Sequence, residues 1–530
     1  MADPDEMITG SVSWIRMLEH TWQKYTPTYF SYLLLGICLV LLFTRFLSSR
    51  NASSQSIGEK SIKTIPLVPY WIPLIGHLPN MAFDADGFVK SLRQTYSNGI
   101  FALNFGGTTH NVMYTPGLAT ALLNEKVDKV DSEDVADGML QTVFGLPARD
   151  LSRYKESRPE IMACYKHLLT EPSLGDMVNK TARKIKENVL NLVTFASSPV
   201  DQPQWERTSD VHITTNKAGE EVVEASLLPL IRDFCAHSAN PTIMGSDFLT
   251  NFPDFFDNIW KLDRGFLLLA TGLPRWIPIP ILTRAHIARK RIMENIYVFH
   301  SALEKEAKGE DPGVDWRNLD DVGSLVRARL QVYRKYNWSI RARAAIEHSL
   351  MWAANANSNA LVFWMINRIY SGAHLLAKLR EEITPYVRAV QPKQDLAIPE
   401  PSRIETFDVE GLCAQCPLLK SCYIESLRVD TASWSFKVVK QNFAIQSGEK
   451  DAQAWLLRKG DYAHAAHDLH NTDPKYFEDP QIWRADRHVR FEGEGAEKKG
   501  AADMGSIRPY GELVPRNAEG TCCGCTLTVL

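Results

Sequence analysis

The chain is poor in cysteine, with nine in 530 residues, and it has no long run of basic residues. So few cysteines exclude a small disulfide-stabilised scaffold, and their odd number leaves at least one thiol unpaired. Lysine and arginine number 59 against 62 aspartates and glutamates, so no nucleic acid partner is expected. With 45% hydrophobic and 23% charged residues, the composition is that of a folded protein, and it excludes a disordered chain or a polytopic transporter.

Only one apolar run is long enough to cross a membrane, residues 29–47, YFSYLLLGICLVLLFTRFL. A helix of about 19 residues spans roughly 28 Å, which matches the hydrocarbon core of a bilayer. More basic residues follow the run than precede it, and this bias predicts that its C-terminal side is cytosolic. We therefore expect a short N-terminal segment, 1–28, and a single-pass transmembrane signal anchor, 29–47.

The residues after the anchor change from polar to proline-rich. Residues 48–64 are polar and rich in serine, which predicts a flexible linker. From Ile65 the chain reads IPLVPYWIPLIGHLP, and its prolines exclude a helix or a central strand. We interpret this strip as an extended segment that orients the following body against the membrane.

Helix-like patterns dominate the rest of the chain. The longest lies at 338–370, where about 33 residues contain neither proline nor glycine and predict one continuous helix. Strand-like alternation is confined to short pieces such as 101–105 and 436–440. We expect one large domain over 65–530 that is mainly α with a minor β part.

Charged residues in an apolar setting mark the last third of the chain. Glu425 and Arg428 are three residues apart, so they share a helix face and can form an ion pair. A buried pair is costly without further hydrogen bonds, which predicts a third partner. Arg487, in a stretch rich in aromatic and turn residues, is the candidate. The tetrapeptide RPYG follows at 508–511.

Taken in order, the anchor, the proline strip, the long helix, the E-x-x-R pair and the later arginine resemble the membrane-bound cytochrome P450 haem-thiolate monooxygenases. The resemblance implies the cytochrome P450 fold and a structural triad of Glu425, Arg428 and Arg487. It also implies that Arg508, Tyr510 and Gly511 lie at the approach to the haem.

The long helix narrows the resemblance to a branch of the family. Where most members have a threonine that helps to deliver protons, this chain reads WAANANS at 352–358, with Asn357 at or beside that position. This resembles the branch of sterol 7-hydroxylases and prostacyclin synthase, and fungal enzymes of secondary metabolism. Asn357 and Ser358 are the implied catalytic residues, and the side-chain amide of Asn357 can hold a water molecule in a proton relay. The alternative is that these asparagines only face a wet cavity.

The resemblance breaks at the family's haem-ligand loop. Aligned on Tyr510 and Gly511, the position of the iron-ligating cysteine is Asn517. The remaining candidates for a metal ligand are Cys522, Cys523 and Cys525. We expect a shifted frame or splice site after residue 511, so that the C-terminal part of the fold is missing.

The implied function is that of a haem monooxygenase of the endoplasmic reticulum membrane, with its catalytic domain facing the cytosol. Its electrons would come from NADPH through a separate reductase, and its substrate would be lipophilic, such as a terpenoid, steroid or polyketide intermediate of secondary metabolism. Two alternatives stay open. One is a haem isomerase or dehydratase that needs no reductant, and the other is a haem-free, membrane-anchored binding or scaffold protein.

Overall fold

The structure, a computed structural model, describes residues 31–50, 56–57, 62–391, 402–432, 434–449, 452–492 and 499–507. By its internal contacts the chain divides into two compact units. The smaller comprises residues 1–132 and 433–470, and the larger residues 133–432 and 471–530. The expectation of one domain over 65–530 does not anticipate this division, because each unit is assembled from segments that are distant in sequence.

The smaller unit contains the apolar helix and two sheets. Its helices are α1 (Ser31–Arg50), α2 (Leu78–Thr95), α3 (Pro116–Leu123) and α21 (His467–Asn471). Its strands are β1 (Ser56–Ile57), β2 (Ile62–Thr64), β3 (Ile100–Phe105), β4 (Thr108–Met113), β5 (Val130–Asp131), β10 (Trp434–Val439), β11 (Phe443–Ile445), β12 (Ala454–Leu457) and β13 (Tyr462–Ala466). One sheet has the order β1-β2-β12-β11 and the other β3-β4-β13-β10-β5.

Helix α1 is the one helix of the described residues that is long and apolar enough to cross a membrane. It extends to Arg50, three residues beyond the predicted anchor, and its end is fixed by the proline strip. The Ser48 hydroxyl donates to the Tyr70 carbonyl and accepts from the Tyr70 amide, both at 3.1 Å. Arg45 donates to the carbonyl of Pro69 and stacks over the ring of Trp71.

The described residues of the predicted flexible linker include regular structure. Residues 48–50 continue α1, and β2 pairs in parallel with β12, with Lys63 opposite Trp455. Backbone hydrogen bonds to a strand some 390 positions later supply this order, and serine content does not reveal them. The proline strip is non-helical as predicted up to His77, but its last two residues begin α2, with Pro79 in the first turn, where proline is tolerated.

The larger unit is mainly helical. Its helices are α4 (Glu133–Thr142), α5 (Leu151–Ala163), α6 (Lys166–Leu169), α7 (Ser173–Asn188), α8 (Gln204–Arg207), α9 (Leu227–Ala239), α10 (Pro241–Met244), α11 (Ser246–Asn251), α12 (Phe255–Arg264), α13 (Phe266–Ala270), α14 (Pro280–Ala307), α15 (Ser324–Lys335), α16 (Ile340–Ala356), α17 (Ser358–Tyr370), α18 (Ala373–Ile383), α19 (Val409–Gln415) and α20 (Pro417–Asp430). Three two-stranded sheets accompany them: β6–β7 (His212–Thr215 and Glu221–Glu224), β8–β9 (Val387–Val390 and Arg403–Phe407) and β14–β15 (Val489–Glu492 and Lys499–Ala502).

The core of this unit lies where α12, α14 and α16 pack together. Phe256, Ile292 and Ile346, one from each helix, are almost completely buried within one apolar cluster. Burial of such side chains contributes about 1.5–3 kcal/mol each. The prediction of a mainly helical fold with a minor β part and one apolar N-terminal helix is confirmed.

The long central helix is not continuous, contrary to the prediction for 338–370. It ends at Ala356 and restarts at Ser358, with Asn357 between at φ −103° and ψ −52°. The side-chain amide of Asn355 donates to the Met351 carbonyl at 2.8 Å. The side-chain hydroxyl of Ser358 donates to the Ala354 carbonyl at 3.3 Å. Such side-chain bonds compete with the helical ladder, so a run rich in asparagine and serine breaks where the absence of proline and glycine predicts continuity.

Candidate functional site

The predicted ion pair lies on α20, whose first turn is fixed by a distant carboxylate. Pro417 occupies the first turn, and Glu382 accepts hydrogen bonds from the amides of Leu418 and Leu419 at 2.8 and 2.9 Å. A carboxylate at this position satisfies amides that have no helical partner. The helix is thereby aligned so that Glu425 and Arg428 both face the interior.

Glu425 and Arg428 form a two-pronged ion pair with no exposed side-chain surface. Arg428 Nε lies 2.8 Å from Glu425 Oε2, and Nη2 lies 2.7 Å from Oε1. The remaining donors of Arg428 reach backbone carbonyls, 2.9 Å to Asn471 and 2.7 Å to Pro480. The Arg428 guanidinium therefore joins α20 to residues 471–480 by hydrogen bonds.

Arg487 is the third partner that the buried pair requires. Its Nε donates to Glu425 Oε1 at 3.0 Å, and its Nη2 donates to the carbonyl of Ile482 at 2.9 Å. The backbone amide of Arg484 donates to the same Oε1, also at 3.0 Å. The structure thus brings together all three residues of the predicted triad.

His488 is a fourth member that the sequence interpretation missed. Its Nε2 lies 3.0 Å from Glu425 Oε2, and its backbone amide donates to the Ser421 hydroxyl at 3.1 Å. Trp483 Nε1 similarly donates to the Ser426 hydroxyl at 3.0 Å. The available signal was the position of His488 directly after the predicted arginine, in a stretch that docks on the buried face of α20.

The electrostatics of this cluster favour an ionised carboxylate. Burial by itself raises the pKa of Glu425, but hydrogen bonds from Arg428 and His488 outweigh it and lower the pKa to about 2. Two guanidinium groups converge on one carboxylate, and backbone carbonyls accept their remaining donors. The cluster is a buried clamp between α20 and residues 471–488.

The candidate catalytic residues lie at the break in the central helix. Asn357 is exposed, and its amide makes no side-chain hydrogen bond within the described part of the chain. Ser358 is half-buried, and its hydroxyl donates a hydrogen bond to the carbonyl of Ala354. The structure therefore leaves the amide of Asn357 available to water and uses the hydroxyl of Ser358 internally.

A buried amide pair holds the break against α9. Asn240 Nδ2 lies 2.8 Å from Asn355 Oδ1, and Asn355 Nδ2 lies 3.0 Å from Asn240 Oδ1. Asn359 Nδ2 adds a third contact to Asn355 Oδ1 at 3.3 Å. These bonds satisfy amides that are at most 4% exposed, so the alternative of asparagines facing a wet cavity does not describe Asn355 and Asn359.

Aromatic side chains from other segments pack against α16 around Trp352, five residues before Asn357. The rings of Phe266 and Trp352 stack at 4.4 Å, and that of Phe144 lies 5.7 Å from Trp352. Phe144 also meets the buried ring of His348 edge-on at 5.2 Å. Burial lowers the pKa of His348 to about 3, so this imidazole is neutral at physiological pH. Phe144 belongs to the apolar core of the larger unit, and Phe266 and Trp352 pack against that core.

Several predicted site residues lie outside the described residues. They are Arg508, Tyr510, Gly511, Asn517, Cys522, Cys523 and Cys525. Their assignments stay predictions.

Three cysteines within the described residues are buried or partly buried thiols. Burial raises the pKa of Cys235 and Cys422 to about 12 and that of Cys416 to about 11, so without a bound metal all three are protonated. No group of three or more His, Cys, Asp and Glu side chains in the described parts of the chain could hold a metal ion.

The chain resembles curated cytochrome P450 monooxygenases over much of its length. It is 26% identical over 415 residues to cytochrome P450 monooxygenase efuG of Hormonema carpetanum, covering 76% of this chain and 68% of that protein. It is 23% identical to cytochrome P450 7A1 of Sus scrofa, covering 62% of this chain and 61% of that protein. It is 24% identical to 25-hydroxycholesterol 7-alpha-hydroxylase of Rattus norvegicus, covering 56% and 68%. No protein-family model matches the chain.

These relatives confirm the predicted resemblance to the cytochrome P450 family, with its sterol 7-hydroxylase and fungal branches. They support an enzyme of the oxidoreductase class, and they imply haem as its cofactor.

Proposed function

We propose that this protein is a haem-dependent monooxygenase that oxidises a lipophilic small molecule with O₂. The observation that carries the proposal is the buried Glu425 clamp with Arg428 and Arg487 at the positions that the family resemblance implies. The relatives named above support the same reaction class. The haem would supply oxygen activation, which no amino-acid side chain provides.

The substrate we propose is a steroid, terpenoid or polyketide intermediate of secondary metabolism. The stacked rings of Phe266 and Trp352 are only partly buried at the edge of the apolar core, and this supports an apolar contact near the helix break. One relative is named a 7-alpha-hydroxylase of 25-hydroxycholesterol, and others are fungal monooxygenases. The first of these names supports a sterol-like, mostly hydrocarbon substrate.

We assign two different tasks to the residues at the break. The amide of Asn357, which makes no other side-chain hydrogen bond within the described part of the chain, would hold a water molecule and move a proton there, since it both donates and accepts. The hydroxyl of Ser358 would fix the course of the backbone through the Ala354 carbonyl. Electrons would come from NADPH through a separate reductase, and α1 would anchor the protein in the endoplasmic reticulum membrane with its body in the cytosol.

The test is the absorption spectrum of the full-length protein, purified in non-ionic detergent, reduced and exposed to CO. The strongly red-shifted Soret band of a thiolate-ligated haem would show that one of Cys522, Cys523 and Cys525 ligates the iron, and it would contradict the expected frame shift after residue 511. The triple variant C522S/C523S/C525S should lose this band, whereas the control C413S/C416S should keep it.

Three other outcomes would contradict parts of the proposal. An unshifted haem band would exclude a thiolate ligand, and a colourless protein would favour the haem-free binding or scaffold alternative. Turnover of a substrate without NADPH and reductase would favour the isomerase or dehydratase alternative.

A further inference from the structure

A cleft of about 390 Å³ lies beside α14 in the larger unit. We call it the α14 cleft. Its walls come from the middle of α14, from the turn at Gly145 and from Arg341 in the first turn of α16. The volume is within the range of small-molecule sites, which begins at about 300 Å³.

The charges around the α14 cleft are strongly unbalanced. Four cations line it against a single carboxylate, Glu294. The cations are Arg275, Arg289, Lys290 and Arg341. None of the four makes an ion pair within the described parts of the chain. A concave surface lined by charge of one sign focuses the electric field and concentrates ions of the opposite sign.

One of the four cations, Arg289, is held in a fixed position. Arg289 donates to the Thr142 carbonyl at 2.6 Å and, through Nη2, to His286 Nδ1 at 3.0 Å. His286 Nε2 in turn lies 3.3 Å from the carbonyl of Leu273. Burial and the neighbouring arginines lower the pKa of His286, so its ring is neutral and accepts from Arg289. The Arg289 guanidinium is thereby oriented before any ligand arrives.

The base of the cleft is apolar and kept open by a glycine. Gly145 has φ +87°, and a Cβ atom there would lie 3.0 Å from the sulfur of Met293. A side chain at this position would be strained and would fill the space. Tyr297 adds an aromatic wall, with Arg341 over its ring at 5.4 Å. The residue before Gly145, Phe144, packs against Trp352 of α16.

We propose that the α14 cleft binds the carboxylate of an amphiphilic small molecule. The oriented guanidinium of Arg289 and the rim cations Lys290 and Arg275 receive the carboxylate, because a guanidinium matches its geometry with paired donors. Met293 and Tyr297 receive the adjoining hydrocarbon. The inference is independent of the proposed function, since binding is measured directly and requires no turnover.

The test compares octanoate with octanamide, which has nearly the same size but no charge. Full-length protein in phosphatidylcholine nanodiscs is titrated with each by isothermal calorimetry. We expect octanoate to bind at least about tenfold more tightly than octanamide. The variant R275Q/K290Q should lose about tenfold in octanoate affinity and leave octanamide unchanged, because neither side chain makes a hydrogen bond or ion pair within the described residues.

Two further variants make the test specific. R284Q/R291Q removes two exposed charges from the same helix outside the cleft, and octanoate affinity should stay within about twofold. E294Q removes the opposing carboxylate, and octanoate affinity should rise about threefold.

Three results would overturn the inference. One is equal binding of octanoate and octanamide, and another is an equal loss in R284Q/R291Q. The third is inorganic phosphate binding as tightly as octanoate, which would mean that the hydrocarbon contributes nothing.

Discussion

At the scale of single residues, Glu425 is a buried carboxylate on which two guanidinium groups converge. It is completely buried and accepts hydrogen bonds from Arg428, Arg487 and His488. A buried ion pair adds little net stability over an apolar core, but the loss of one partner leaves an uncompensated charge. Substitutions here are therefore expected to be severe, although no catalytic contact is involved.

Replacing Glu425 by glutamine should destabilise the protein by about 3–5 kcal/mol, because it leaves two guanidinium groups without their carboxylate. The control is Glu478→Gln, which removes an exposed carboxylate 3.4 Å from Arg484 and should cost less than about 0.5 kcal/mol. Thermal unfolding midpoints of both variants check the prediction. Equal midpoints would show that the clamp does not hold α20.

The stability contributed by Glu425 should also depend on pH. Its folded-state pKa of about 2 is lower than the ordinary value of a glutamate, so the contribution is complete above about pH 4.5 and is lost as the pH falls towards 2. The difference in unfolding midpoint between the wild type and Glu425→Gln should therefore shrink over that window. A difference that stays constant down to pH 2.5 would contradict this assignment of the charge.

At the scale of elements, the break between α16 and α17 separates two asparagines with different environments. Asn355 is buried and exchanges two hydrogen bonds with Asn240, whereas Asn357 is exposed at the junction. The first fixes where the break lies relative to α9, and the second presents its amide to solvent. A structural and a proposed functional role are thus two residues apart.

This separation can be tested with two matched alanine substitutions. Asn355→Ala should cost about 1–3 kcal/mol, because the buried amide of Asn240 loses its partner. Asn357→Ala should change stability by less than about 0.5 kcal/mol. If the proposed proton role is correct, Asn357→Ala should still lower product formation in the reconstituted enzyme. Unfolding midpoints and turnover, measured on the same preparations, distinguish the two roles.

At the scale of the whole molecule, α1 is long and apolar enough to cross a membrane, and the proposed anchoring can be tested directly. Leu35→Arg combined with Leu39→Arg places two charges near the middle of the helix, each costing about 2.5–3.5 kcal/mol in a bilayer. The variant should move from the membrane pellet to the supernatant after alkaline carbonate extraction. The matched variant Leu35→Ala with Leu39→Ala should stay in the pellet. If the wild-type protein were found in the supernatant, the prediction of a membrane anchor would be refuted.

Local patterns were sufficient for much of the site. The spacing and apolar surroundings of Glu425 and Arg428 predict a buried pair, and the cost of burying it predicts a third partner. His488 was missed although it directly follows the predicted Arg487. The sequence could not predict the pairing of Asn240 with Asn355, because it depends on which segments pack together across 115 positions. The sequence did not predict the α14 cleft either, since its charged residues come from separate segments.

Local sequence patterns specify the apolar helix at the N-terminus, the mainly helical character of the chain and the ion pair on α20. These follow from hydrophobic length, helical periodicity and residue spacing, which act over a few turns. The pairing of strand 62–64 with β12 and the division into two units are set by tertiary structure instead. Their hydrogen bonds and contacts join residues distant in the chain, so no local preference specifies them.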